Sequence, residues 1–289
     1  MLNANKALIM IRLYFISIFL LIFSSQYAQT IQGKIVDSLN NPIQYVNIGV
    51  LNKPIGTVTN EKGEFVLNID NSTISDTLKI SCLGFKTKEL AVKSFINNKS
   101  VFNISLENHT EKLDEIVINS NNLKTYIKGK EKTNTKNKVF FSIPNMKNLN
   151  LGSEIGRKFS LGTKKPSLLK EVKFFLKENN FESVLFRLNF YTIENNKPSK
   201  KINNTNILIS ADNYLTGWVT VDLTDYGIKT QEDIIVTVEW IKASEKGDKL
   251  SLPILIPSFS STHYYKYGTH AKWKKYENIS TAMILTYKQ

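Results

Sequence analysis

The chain has 289 residues, 38 Lys and Arg against 25 Asp and Glu, a formal net charge of +13, and a single cysteine, Cys82. One cysteine excludes an intrachain disulfide, so stability has to come from hydrophobic cores, and the length suits two domains. The positive charge is nearly all lysine, with Arg only at 12, 157 and 187. Arginine is the residue suited to bidentate phosphate and base contacts. The excess charge therefore points away from nucleic acid, to simple solubility or to a lysine-rich surface that meets anionic glycans or lipid headgroups.

Residues 1–28 have the three-part layout of a secretory signal. Lys6 and Arg12 supply the positive start, Leu13 to Phe23 is an apolar run broken only by Ser17, and Ala28 stands at a cleavage position that leaves Gln29 first. The run is short against the roughly 20 apolar residues that span a bilayer; an uncleaved N-terminal anchor is the alternative. No cysteine follows the run, which argues against a lipoprotein anchor. No later segment is long and apolar enough for a membrane helix. The expected location is outside the cytoplasm: periplasmic, outer-membrane-associated or extracellular.

From Thr30 the periodicity is two, not 3.6. TIQGKIVDS reads as a strand, and NNP at 40–42 turns the chain. In YVNIGVLN, Val46, Ile48 and Val50 share a face, and GTVTN leads to GEFVLNI, where Phe65, Leu67 and Ile69 alternate. DTLKISCLGFKTKEL reads as a strand pair, with Cys82 in phase with Leu78 and Ile80 as a small core hydrophobe. VFNISLE closes the set, and AVKSFINN suits one helical turn. So many short strands in residues 29–118 predict a small β-sandwich. Within GTVTNEKGEF, Asn60 and Gly63 fit a type I turn whose glycine takes positive φ and closes a bulged hairpin before Phe65. A metal loop would need more ligands than Asn60, Glu61 and Glu64.

LDEIVI at 113–118 suits a further strand, and residues 119–138 read as an exposed lysine-rich linker. From Val139 to 289 strand candidates return: VFFSI, GRKFSL, LLKEVKFFLKE, SVLFRLNFYTI, NILIS, GWVTVDL, DIIVTVEWI, LPILIPS, THYYKYG and TAMILTY. The two long ones flank ENNFE and look like a hairpin. The expected fold class is all-β, a small transthyretin-like β-sandwich followed by a larger jelly-roll-like β-sandwich.

Over residues 31–118 the connected series IQGKIVDSLNNPIQYVNIGV, GTVTNEKGEFVLNI, LKISCLGFKTKEL and ISLENHTEKLDEIVI resembles the carboxypeptidase regulatory-like domain of exported Bacteroidetes proteins. Similar units stand at the N-termini of TonB-dependent receptors, ahead of the plug. The resemblance implies a transthyretin-like sandwich that assists binding or assembly and carries no active site; no peptidase activity follows from the family's name. Asn60 stands where Asp is commoner, and Leu83 where Tyr often precedes the glycine. The C-terminal half looks more loosely like the jelly-roll partners found after such domains, through EVKFFLKEN, FRLNFYTIENNKPSKKI and GWVTVDLTDYGI followed by IIVTVEWI. No activity attaches to that likeness.

The chain has no Gly-x-Ser-x-Gly elbow, no His-Glu-x-x-His and no phosphate-cradling glycine loop. Its histidines, His109, His263 and His270, fit no standard zinc spacing, so neither metal nor cofactor is expected. Strand phase gives a sharper idea. Successive side chains alternate faces, so Val184, Phe186, Leu188 and Phe190 point inward while Arg187, Asn189 and Tyr191 point outward. The same rule turns Glu239 outward opposite Trp240, and Trp218 and Asp222 outward opposite Val219 and Val221. If these three strands share a sheet, its outer face holds Trp218, Tyr191, Arg187, Asn189, Asp222 and Glu239. Rings beside hydrogen-bonding groups suit a sugar. The competing readings are a face covered by another segment or a partner, an exterior charge cluster, or a glycosidase-like carboxylate pair.

The function expected from the sequence is that of a non-catalytic exported envelope protein, a binding or accessory module whose partner is an envelope protein or a glycan. The alternative is a secreted hydrolase of glycan or peptide with its site in the C-terminal domain.

Overall fold

The computed structural model describes residues 29–96, 101–109, 116, 118, 123–142, 150–162 and 165–289. The expected signal segment, four of the six residues of LDEIVI and the start of the expected linker lie outside the described residues.

The first domain has strands β1 Gln29–Val36, β2 Asn47–Val50, β3 Gly56–Val58, β4 Glu64–Ile69, β5 Thr77–Ser81, β6 Lys88–Ala91 and β7 Phe102–Ser105. One sheet runs β4–β1–β7, with β1 antiparallel to β4 and parallel to β7. The other runs β3–β2–β5–β6 and is antiparallel throughout. Alternation is clean in β4, where Phe65, Leu67 and Ile69 face inward and Glu64, Val66 and Asn68 face solvent. They close on Ile31, Ile35, Val46, Ile48, Val50, Leu78 and Ile80 between the sheets. The expected helical turn is present as a short 3-10 helix, Val92–Phe95, which plants both end residues in this core. Cys82 is half-buried at the rim of the core rather than within it.

The GTVTNEKGEF segment is the expected turn. Asn60 Oδ1 accepts hydrogen bonds from the backbone N–H groups of Lys62 and Glu64, each at 2.9 Å. Gly63 sits at φ +73°, and its N–H donates to Asn60 O at 3.0 Å. The asparagine side chain holds the turn while glycine supplies the left-handed residue.

The second domain adds β8 Thr125–Gly129, β9 Lys138–Ser142, β10 Glu154–Phe159, β11 Ser167–Leu176, β12 Glu178–Asn179, β13 Ser183–Glu194, β14 Lys197–Lys201, β15 Ile207–Asp212 and β16 Gly217–Asp222. After these come β17 Lys229–Thr230, β18 Ile234–Ala243, β19 Leu250–Leu255, β20 Thr262–Lys266, β21 Lys274–Glu277, β22 Ser280–Thr281 and β23 Met283–Lys288. The large sheet runs β14–β13–β18–β10–β20–β21, with β15 also on β13. Facing it is the sheet β16–β11–β23–β8, with β17 also on β11; β19, flanked by β12, β22 and β9, makes a third, smaller sheet. Phe174, Phe186, Leu188, Phe190, Val236, Val238, Trp240 and Leu285 fill the space between the two main sheets. The chain is all-β, with two sandwiches, as the period-two patterns predict.

Two sequence expectations need correction. The long strands β11 and β13 do not form a hairpin: β11 pairs with β16, β17 and β23, and β13 with β14, β15 and β18. The ENNFE segment between them turns inward instead. Phe181 is fully buried with its ring 5.7 Å from that of Trp240, and its N–H is held by Asn179 Oδ1 at 3.0 Å. Burial of that ring carries the chain from one sheet to the other. The linker is also interrupted, because Thr125–Gly129 pairs with β23 as an edge strand, and Tyr126 stacks on Tyr287 at 5.4 Å. Every β8 residue is exposed, so no apolar alternation announces it.

Candidate functional site

Strands β2 and β3 break the in–out rule: all their residues are buried, Asn47–Val50 and Gly56–Val58 alike. Ile48 and Val50 fill the first domain's core, so Asn47 and Gly49 must be covered from the other side. The cover is the outer face of the large sheet of the second domain. Gly49 and Gly56 admit this close approach. A Cβ at either would run into Thr269 Oγ1, which donates instead to Ile48 O at 2.9 Å. Tyr45, Val58 and Ile241 add a small apolar contact beside it.

On that outer face the register sets Arg187 opposite Glu239 and Asn189 opposite Thr237, with Glu154 of β10 between Glu239 and Lys266. Glu154, Asn189, Thr237 and Glu239 are fully buried, and Arg187 is 1% exposed. Glu154 accepts from Thr237 Oγ1 at 2.7 Å, Tyr191 OH at 2.9 Å and Lys266 Nζ at 2.5 Å. Glu239 accepts from Asn189 Nδ2 at 2.8 Å and, across the domain boundary, from Asn47 Nδ2 at 2.6 Å, with Arg187 Nε 3.6 Å away. Arg187 Nη2 in turn donates to Tyr45 O at 2.7 Å. A buried charge is tolerable only when paired and hydrogen-bonded, and these groups supply that pairing from both domains.

The electrostatics follow. Desolvation pushes the Glu239 carboxyl up, but Arg187, Lys201, Lys266 and the Asn189 bond outweigh it and bring its pKa to about 2. Desolvation, then the Glu154 charge, raises the Tyr191 phenol well above its ordinary range. His270 Nε2 donates to Asn47 O at 3.3 Å; burial, then the Lys266 charge, lowers its pKa to about 3.

Four of the six residues expected on one outer face are therefore together: Arg187, Asn189, Tyr191 and Glu239. They lie between the domains rather than on an open surface. Trp218 and Asp222 are elsewhere, on β16 of the opposite sheet. Trp218 meets Phe175 edge-on at 5.4 Å, and Asp222 Oδ1 accepts from the N–H of Thr224 at 2.8 Å. Asp222 and Glu239 do not face one another. Alternation fixes the face of a strand and leaves the identity of its sheet open, which is why the grouping split. Asn47, Tyr45, Glu154, Lys266 and Thr269 were not picked out by their types. The usable signal was Gly49, since a glycine inside a strand often marks close backbone approach.

At the rim of this interface lies a cleft of about 470 Å3 walled by both domains. The second domain contributes Arg187, Lys200, Lys201, Asn203 and Asn204; the first contributes Asn47, Ser81, Cys82, Leu83, Phe85 and Thr87 among others. No carboxylate lines it among the described residues. Lys201 is half-buried with its Nζ 5.7 Å from the Tyr191 ring; desolvation lowers its pKa, against the pull of Glu239. Burial raises the Cys82 thiol, keeping it protonated. The volume sits in the roughly 300–1,000 Å3 range of small-molecule sites.

Fold and site together define an all-β protein of two sandwiches, locked through a buried polar interface with a cationic cleft at its rim. Residues 31–118 match the family model described as the CarboxypepD_reg-like domain, the same span over which the sequence resembles that family. No curated protein matches the chain. Among solved structures, the cysteine protease and lectin-like domains of a surface-layer-associated protein of Clostridium difficile are similar at 13% identity and a TM-score of 0.35, over 53% of this chain and 36% of that one. The major pilin subunit of Bacillus cereus is similar at 10% identity and a TM-score of 0.19, over 88% and 69%. The VP2 subviral particle of infectious bursal disease virus is similar at 9% identity and 0.27, over 90% and 62%. Likeness this low carries nothing about activity.

Proposed function

We propose that this is a non-catalytic, exported binding or accessory module of the cell envelope, with a glycan or an envelope protein seated in the cleft between its domains. The cleft carries the reading: a concave site of about 470 Å3 with walls from both sandwiches, cationic and amide side chains, and no carboxylate among its described lining residues. The carboxypeptidase regulatory-like match over the first domain agrees with an assisting role, and the layout of residues 1–28 supplies the argument for export. Among the described residues no helix is long and apolar enough to cross a membrane.

The test is thermal stabilisation of the purified chain by separated polysaccharide and protein fractions of cell envelopes, since a ligand that binds only the folded form raises the melting temperature. The expected result is a rise with one fraction, lost in Lys200→Gln/Lys201→Gln and reduced in Lys200→Gln alone, whose exposed side chain leaves intrinsic stability unchanged. No rise with any fraction refutes the proposal. Release of sugar or peptide from a fraction, abolished by the same substitutions, would move the reading to a hydrolase.

A further inference from the structure

The cleft is lined by polar groups that the fold itself does not use, and their chemistry specifies a ligand. The side chains of Ser81, Thr87 and Asn204 make no hydrogen bond within the chain among the described residues. Neither Lys200 nor Lys201 forms an ion pair there, although Glu239 beneath the cleft draws Lys201 as well as Arg187. Three cations against that one carboxylate leave two positive charges in excess, beside three neutral groups that each donate and accept. Phe85 offers an apolar surface at the same mouth.

Below the floor, Arg187 Nε and Asn47 Oδ1 are a buried donor and acceptor that no hydrogen bond satisfies. Buried polar atoms are rarely left so.

We propose that the cleft binds a carboxylated saccharide: its carboxylate on Lys200 and Lys201, its hydroxyls on Ser81, Thr87 and Asn204, and a C–H face on Phe85. The ammonium groups call for an anion, the unused neutral groups for a polyol, and the ring for a sugar face rather than a compact inorganic anion. This inference rests on the binding reading above and narrows it to a ligand class. Because walls from both domains grip one ligand, occupancy also ties the two sandwiches together.

The test is calorimetric titration of the full chain with a panel of hexuronic-acid trisaccharides and their methyl esters, which keep every ring and hydroxyl and lose only the charge. Inorganic phosphate and triglutamate serve as anions without a sugar. The expected result is binding of at least one trisaccharide, weakened about tenfold or more by esterification, by 0.5 M salt and by Lys200→Gln/Lys201→Gln. Asn204→Ala, on an exposed residue, gives a milder loss; its melting temperature and that of Lys200→Gln alone stay unchanged, whereas Lys201→Gln lowers melting because Lys201 also supports the Glu239 charge. Equal binding of acid and ester overturns the carboxylate assignment and leaves the glycan reading standing. Binding of phosphate or triglutamate alone overturns the saccharide and leaves a binding module of another class. No probe bound, with envelope fractions still stabilising the chain, overturns the inference alone; no stabilisation by any fraction overturns both.

Discussion

Glu239→Gln is the change that most directly examines the buried interface. The substitution keeps shape and removes charge. In the parent chain the two carboxylate oxygens accept from Asn47 and Asn189; an amide offers one oxygen, so one of those donors loses its acceptor and Arg187 is left without its buried counter-charge. Folding brings the Glu239 carboxyl down to about 2, because Arg187, Lys201 and Lys266 outweigh its desolvation, and so favours the ionised, folded form. Breaking a buried pair from one side typically costs about 3–5 kcal/mol. The expected loss at pH 7 is therefore about 3–5 kcal/mol. The pH profile separates charge from packing. Because the folded pKa lies below the unfolded one, the contribution is fully present above about pH 5 and disappears as pH falls toward about 2. Burial also holds His263 at about 4 and His270 at about 3, against 6.5. Their contribution is present above the unfolded value and is lost as pH falls from about 6.5 through those values. The Glu239 charge also raises His270 a little, so the wild-type-minus-variant difference reports the carboxylate together with its pull on that imidazole. Urea unfolding followed by near-UV circular dichroism at pH 7, 5, 4 and 3 measures it. A difference under about 1 kcal/mol at pH 7, or one that does not shrink below pH 5, refutes the assignment.

Three further outcomes follow from the same geometry. Trp240→Ala removes a fully buried ring packed on Phe181 and lowers stability by about 3–5 kcal/mol, read by urea denaturation. Gly63→Val puts a branched side chain at φ +73° with its Cβ 2.5 Å from Ile35 O; the first domain's melting transition drops while the strands of the second domain keep their circular dichroism. Gly56→Ala drives a methyl group into Thr269 Oγ1 and towards Ile48 O at 3.0 Å. Overpacking of this kind costs about 1–3 kcal/mol, and here it parts the domains: limited proteolysis between them speeds up and cleft binding falls, although each core stays intact.

The fold class was legible because strand alternation is a local signal. Phe65, Leu67 and Ile69 in the first domain, and Val184, Phe186, Leu188 and Phe190 in the second, point inward as their period-two spacing requires. Asn60 and Gly63 announced their turn for the same reason, since both act on neighbouring backbone. The β8 strand stayed hidden because its residues are all exposed, and it is held by its pairing with β23 and the Tyr126–Tyr287 stack rather than by an alternating apolar face. The hairpin expected around ENNFE failed because Phe181 is drawn into a core built by residues far along the chain.

What the sequence determined by itself was which side chains share a face: Arg187, Asn189 and Tyr191 on one side of their strand, Glu239 opposite Trp240. Only the tertiary structure decided which strands share a sheet and what covers them. Asn47 and Glu239 are 192 positions apart, and no local pattern records that the first sandwich closes over the outer face of the second. That closure turned a presumed open surface into a buried clasp and left the cleft at its rim. Side-chain alternation is set by backbone geometry within a few residues, whereas burial is set by whichever distant surface proves complementary.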